Sequence, residues 1–267
     1  MIEVIKDFHG TYPNDPLRNI NFDKYAEKGR DCLLYLSTKL PQTIISDVEK
    51  PKYWFNAEEQ LYNYGSNLDT INSFIDKVDY LFTVFPDYLE KRNKRIYTFF
   101  PIDMEIVDSI PKNLVKKYSS IYTGGVYGGH INEIAESVKS LNGCLLSHAP
   151  NVSYIEKLNL ISESLVTVCH NLIIPLNGKC SGPQLKTRCF EAAACKSLML
   201  VLKDSYNVVE DWFTPNKDFI YYEEGNLKET LNHCVNNYTK YQDLVDSAYE
   251  RFTKNYTTLN FIEKYLK

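Results

Sequence analysis

Apolar residues in the first hundred positions come in short runs bounded by Pro, Gly and polar clusters, and between the runs the spacing lengthens to a helical period. Residues 2–8, 32–36, 43–45, 53–56, 80–84 and 96–100 are predicted strands. Residues 69–78 are a predicted helix between two of them: Ile71, Phe74, Ile75 and Val78 fall at i, i+3, i+4 and i+7 and form one buried stripe. Strands alternating with helices predict a mainly parallel sheet covered on both faces. The rhythm breaks between Pro101 and Pro111, where the acidic, non-periodic segment IDMEIVDSI reads as a linker between domains.

A second α/β series follows. Residues 118–123 read as a strand, Gly124-Gly125-Val126-Tyr127-Gly128-Gly129 as a loop, and about 131–141 as a helix with Ile131, Ile134, Ala135 and Val138 on one face. Residues 144–146, 165–169, 198–202 and 218–222 continue as strands, and 154–162 and the segment around Glu191 as helices. Helices over 226–237, 241–255 and 259–266 close the series. The reading divides the chain into an N-terminal domain over 1–105, a second domain over 106–240 and bracing terminal helices over 241–267.

Composition changes this picture in three ways. The 267 residues suffice for two domains of roughly 100 to 150 residues each. A net charge of −4 excludes a nucleic-acid backbone as the main ligand, so any cationic site must be local. Seven cysteines form no C-x-x-C pair and read as reduced, buried thiols of an intracellular, cytoplasmic protein. MIEVIKDFHG has acids in its first seven residues and does not read as a signal peptide. No apolar run approaches the roughly 18 residues of a membrane span, so a soluble chain is expected.

The densest chemistry lies in GPQLKTRCFEAAACKSLMLVL, residues 182–202. Here the cations Lys186 and Arg188 precede Glu191 on a helix packed by Ala192, Ala193 and Ala194, which let it lie close to a sheet. A helix N-terminus carries about half a positive charge and free N–H donors suited to a diphosphate, and a carboxylate beside it can accept two ribose hydroxyls. An ordinary αβ unit with a solvated Glu191 is the competing reading. The glycine loop at Gly124 and Gly125 lets backbone approach a ligand closely, but its spacing is neither a phosphate-binding P-loop nor the dinucleotide fingerprint, which disfavours a nicotinamide-dependent oxidoreductase.

With the loop, the Arg188-x-x-Glu191 helix and the terminal helices in order, the chain resembles GT-B glycosyltransferases, most closely the spore-maturation (CgeB-like) branch. The resemblance rests on Arg188-Cys189-Phe190-Glu191-Ala192-Ala193-Ala194-Cys195, on the apolar strand after it, and on Glu210 ahead of Trp212-Phe213-Thr214-Pro215-Asn216-Lys217-Asp218. It implies an α/β fold of two Rossmann-like domains facing a cleft, with C-terminal helices crossing back. It further implies a UDP-, GDP- or dTDP-sugar donor on the second domain and a glycan or small-molecule acceptor on the first. By position, Glu191 takes the ribose role, and Arg188 or Lys186 the pyrophosphate. Such enzymes usually need no metal, and the chain has no Asp-x-Asp pair, so no metal and no further cofactor are expected. Two departures stand out. Pro183 occupies the place of a carboxylate common in retaining members, and Glu163 replaces a cation expected near the phosphates.

An inverting transfer needs a base at the acceptor hydroxyl. His9 is the first candidate, with Asp7 two residues earlier, because strand ends in such sheets line the cleft. Glu58, beside Glu59, is the second, and His148 is a candidate donor contact together with Gly124, Gly125 and Glu210. The competing function is a non-catalytic GT-B-like module with residual nucleotide affinity.

Overall fold

The structure, a computed structural model, describes residues 1–7, 13–37, 48–56, 74–86, 94–111, 114–125, 130–147, 151–173 and 182–267. Five strands, β1 (Ile2–Asp7), β2 (Cys32–Ser37), β3 (Lys52–Asn56), β4 (Tyr80–Thr83) and β5 (Arg95–Tyr97), form one parallel sheet in their sequence order. The two-residue period sorts their side chains onto two buried faces. Leu33, Tyr35, Trp54 and Leu81 pack with Ile75 and Val78, the described end of the predicted helix. Cys32, Leu34, Leu36, Phe55 and Phe82 face the other way, toward Leu17 of α1 (Pro16–Asn19), Phe22 and the last helix. The strand expected over 43–45 lies outside the described residues.

The predicted linker is not irregular. Asp103 caps a short helix, α2 (Met104–Asp108), its carboxylate accepting from the Glu105 amide at 3.0 Å, while Ile102 is buried and bridges to Thr257. A cap residue two positions before Glu105 was the available signal, and the helix is too short to show a 3.6-residue period.

The second sheet contains β6 (Tyr118–Thr123), β7 (Cys144–Leu146), β8 (Ser164–Cys169), β11 (Leu198–Leu202) and β12 (Phe219–Tyr222). Between β8 and β11, β9 (Leu172–Ile173) and β10 (Gly182–Pro183) form a small antiparallel ladder. The order is β12-β11-β8-β6-β7, with every pairing parallel. The chain leaves β6 to one side, then returns to build on the other, so the crevice at the C-terminal ends of β6 and β8 is a topological switch point, where open α/β sheets bind ligands. The first sheet runs in one direction and, among its described strands, has no such reversal. Helices α3 (His130–Ser140), α4 (Tyr154–Ser162), α5 (Thr187–Ala194), α6 (Leu227–Asn236), α7 (Gln242–Asn255) and α8 (Thr258–Tyr265) complete the described chain.

One hydrophobic cluster spans both sheets, and the terminal helices carry it across. Phe99 meets Phe190, Trp212 and Tyr256 with ring centroids 6.3, 5.8 and 5.2 Å apart, and Phe261 of α8 stands 4.9 Å from Phe82 under the first sheet. Aromatic pairs at such separations add roughly 0.5 to 1.5 kcal/mol each beyond their area burial. Phe261 is fully buried. Phe261→Ala should therefore cost about 3 to 5 kcal/mol, read as a lowered urea midpoint, and a loss below about 1 kcal/mol would show that α8 does not brace the first sheet.

Candidate functional site

The switch-point crevice holds a cation. Arg188 is the second residue of α5; its guanidinium carbon lies 4.8 Å from the centroid of the Tyr122 ring near the end of β6, and Nη1 donates to the His170 carbonyl beyond β8 at 3.3 Å. Above the same guanidinium runs Gly124, whose amide donates to Leu146 at 3.0 Å and whose φ is +151°. A Cβ at Gly124 would stand 2.6 Å from Arg188 Nη2 and 3.1 Å from the Tyr122 hydroxyl. Only glycine lets this turn pass so close to the cation. Gly125 follows, with its carbonyl 3.5 Å from the Tyr122 hydroxyl.

The entry to α5 is held by Asn171, which ends the polar pair after β8 and is buried. Its carbonyl accepts from Gln184 at 2.7 Å and its side-chain oxygen from the Lys186 amide at 2.9 Å. Leu185, between them, donates to the Val84 carbonyl at 3.1 Å, so the α5 entry loop is tied to the end of β4 in the first domain. Lys186 caps α5 without a side-chain bond to its first turn, and its ammonium donates instead to Gln184.

Glu191 departs from the expectation. It is not at the start of the helix but on its second turn, and it is neither solvated nor partly exposed: its relative exposure is 0%. The helix lies against α4, and Glu191 Oε1 accepts from Lys157 Nζ at 2.8 Å in a buried ion pair. Tyr154, one turn earlier on α4, faces the same carboxylate; burial first, then the Glu191 charge, push its hydroxyl well above the usual tyrosine range. Lys157 was missed in the sequence. Its signal was there: Tyr154, Leu158 and Ile161 define the buried stripe of α4, and Lys157 sits on it at i+3.

Glu163, read as replacing a cation near the phosphates, stands just before β8, at the end of the sheet opposite Gly124, where it pairs with Lys117. A six-residue strand is roughly 20 Å long, so its charge does not bear on Arg188. Pro183 is buried in the β9–β10 ladder. Glu210 lies on the short helical turn Val208–Asp211 after β11, exposed, accepting from the Tyr221 hydroxyl at 2.7 Å. Asp7 ends the edge strand β1 opposite Ser37. It is three strands, about 14 Å, across the sheet from β4, where the second domain docks. His9, Glu58, Glu59 and His148 lie outside the described residues.

The structure adds polar residues that the sequence reading passed over. Ser37, Asn56 and Thr83 end β2, β3 and β4, and His170 and Asn171 follow β8, all buried at the C-terminal edges of the sheets. The signal was the polar residue closing each apolar run, as in LLYLS, YWFN and YLFT. Among the described residues no group of three or more His, Cys, Asp or Glu is placed to hold a metal, and no helix is long and apolar enough to cross a membrane.

Residues 94–267 match the glycosyl transferase-like family model, and the chain belongs to that family. No curated protein sequence matches it. Among solved structures, a TarM variant of S. aureus in complex with fondaparinux, alpha-GlcNAc-glycerol and UDP is 12% identical with a TM-score of 0.56, over 91% of this chain and 57% of that one. HepE of Anabaena in complex with UDP and glucose is 10% identical with a TM-score of 0.57, over 86% and 76%. Sucrose-phosphate synthase of Thermosynechococcus elongatus is 10% identical with a TM-score of 0.55, over 91% and 74%. The fold is therefore GT-B, two Rossmann-like domains with the C-terminal helices crossing back. The chain spans little more than half the length of TarM.

Proposed function

We propose that this protein is a glycosyltransferase that moves a hexosyl or pentosyl group from a nucleoside-diphosphate sugar to a glycan or small-molecule acceptor. The observation that carries the reading is Arg188, a cation wedged into the switch-point crevice under a glycine turn and on the first turn of α5. As the bond between the anomeric carbon and the diphosphate breaks, the leaving oxygen gains charge. Arg188 and the α5 amides offset that charge while the acceptor oxygen bonds to the anomeric carbon and its proton passes to a base. Asp7, His9 and Glu58, on the first domain, are the proposed acceptor-side groups. Complexes of similar structures with UDP, or with UDP and glucose, support the donor class. The cytoplasm, the spore-maturation branch and the domain limits 1–105, 106–240 and 241–267 belong to the same proposal. Pro183 favours the second reading, a binding module without turnover.

Thermal shift with UDP, GDP and dTDP, followed by nucleotide release from the matching sugars, tests both readings. At least one diphosphate should raise the melting temperature, and Arg188→Ala should weaken it by about 10- to 100-fold while leaving the nucleoside nearly unchanged. Binding without release would favour the module; no shift by any diphosphate would remove the donor site. Turnover should persist in EDTA, since Arg188 and the helix supply the positive charge; loss restored by Mn²⁺ or Mg²⁺ would contradict this.

A further inference from the structure

Two thiols adjoin the contact that seats Arg188. Cys169 precedes His170, whose carbonyl accepts from Arg188 Nη1 at 3.3 Å, and Cys189 follows Arg188 itself. Cys169 ends β8 and Cys189 is the third residue of α5; both are fully buried, and the two side chains are hydrogen-bonded to each other. Cys189 Sγ also accepts from the Asn171 side-chain nitrogen at 3.6 Å, and Cys169 Sγ has the Thr167 carbonyl at 3.7 Å. The Cys169 hydrogen bond first, then Asn171 and the Arg188 charge, hold the Cys189 thiol below the usual cysteine range against burial and the Glu191 charge. At the other described cysteines burial dominates: it pushes Cys234 up to about 11 and Cys195 up to about 12, and it raises Cys32, Cys144 and Cys169. Cys189 is therefore the most thiolate-like of them, with a second thiol in reach.

Resting on the donor site proposed above, we infer that Cys169 and Cys189 are a redox switch: a hydroperoxide converts them to a disulfide that weakens diphosphate binding, and a thiol reductant reverses it. The Cys189 sulfur attacks one peroxide oxygen, the O–O bond breaks, and the departing oxygen leaves as water with the thiol proton, giving a sulfenic acid. The Cys169 sulfur then attacks that sulfur, and the hydroxyl leaves as a second water with the Cys169 proton. Two thiols are oxidised to one disulfide and the peroxide is reduced to two waters. Both sulfurs are buried, so the reaction proceeds through local opening of the crevice. A disulfide holds its sulfurs about 2.05 Å apart, closer than any hydrogen bond, so the first turn of α5 is drawn toward the end of β8. Arg188 moves with that turn, in a seat where a single added methyl at Gly124 would lie 2.6 Å from its Nη2.

The test treats the full chain with hydrogen peroxide, blocks the remaining thiols, maps the peptides by mass spectrometry and titrates UDP and GDP calorimetrically. The map should show a 169–189 bridge formed before the other described cysteines react. Affinity for the tighter diphosphate should fall more than fivefold in the oxidised chain and return with dithiothreitol. Oxidation of other cysteines without this bridge would overturn the inference. A bridge with unchanged affinity would overturn the switch while the donor site stands. If neither UDP nor GDP binds the reduced chain, the donor site itself is wrong and the switch falls with it. Cys169→Ala, which keeps every methionine but cannot form the bridge, should hold its affinity within about twofold after peroxide; a parent-like loss there would assign the effect to another oxidation. The parent-chain map and titrations decide the inference even if that variant does not fold.

Discussion

Glu191→Gln should melt roughly 5 to 20 °C below the parent. The substitution keeps the volume of the side chain but leaves the Lys157 ammonium, buried against it at 2.8 Å, without a counter-charge. Breaking a buried pair from one side costs about 3 to 5 kcal/mol, and each kcal/mol moves the midpoint of a chain of this size by about 2 to 4 °C. An exposed carboxylate at a helix start would contribute only about 0.3 to 1 kcal/mol, so the two placements of Glu191 differ in outcome by several-fold. Lys157→Met should cost a similar amount for the mirror-image reason. The double variant Lys157→Met/Glu191→Leu should recover most of the loss, because replacing both charges with apolar groups of similar size is often nearly neutral. A double-mutant cycle in urea measures the coupling. Single variants within about 1 kcal/mol of the parent would show that the pair is solvated.

Gly124→Ala should weaken diphosphate binding by about 10- to 100-fold, the range expected when one charge-assisted contact is lost. The added methyl would lie 2.6 Å from Arg188 Nη2, which pushes the guanidinium off the Tyr122 ring and out of the crevice. The backbone there has a φ of +151°, which strains any residue with a Cβ and costs about 1 to 3 kcal/mol in stability. Binding and stability separate in a cycle with Arg188→Ala. If Gly124 acts through Arg188, the two substitutions together weaken binding little more than either alone. Parent-like affinity in a folded Gly124→Ala protein would detach the glycine turn from the site.

Much of the fold was legible because strands and helices write their own periodicity. The strand over 118–123, the strand over 144–146, the helix over 154–162 and the strand over 198–202 coincide with β6, β7, α4 and β11. Most other ends moved by one residue, as at β8, which starts at Ser164 rather than Leu165, but the strand expected over 96–100 stops three residues early, at Tyr97. The helix α2 escaped detection because five residues complete barely more than one turn. In the site, Arg188 and Gly124 stood out by residue type and by their positions at element ends, and the structure brings them together. Lys157 did not, because a lysine on a helix normally reads as a solvated face.

The order of side chains along the chain determined which face of each element is apolar, where elements begin and stop, and that cationic and glycine-bearing turns follow strands. Those are local properties, set by the 2- and 3.6-residue periods and by capping and turn chemistry. Only the tertiary structure decided which faces meet. It placed β8 beside β6, on the side away from β7, which created the crevice; it laid Phe261 under Phe82; and it closed Glu191 onto Lys157 across 34 residues of sequence. An apolar or charged position records that burial or a partner is needed without recording which distant element supplies it, because that choice depends on packing summed over the whole core.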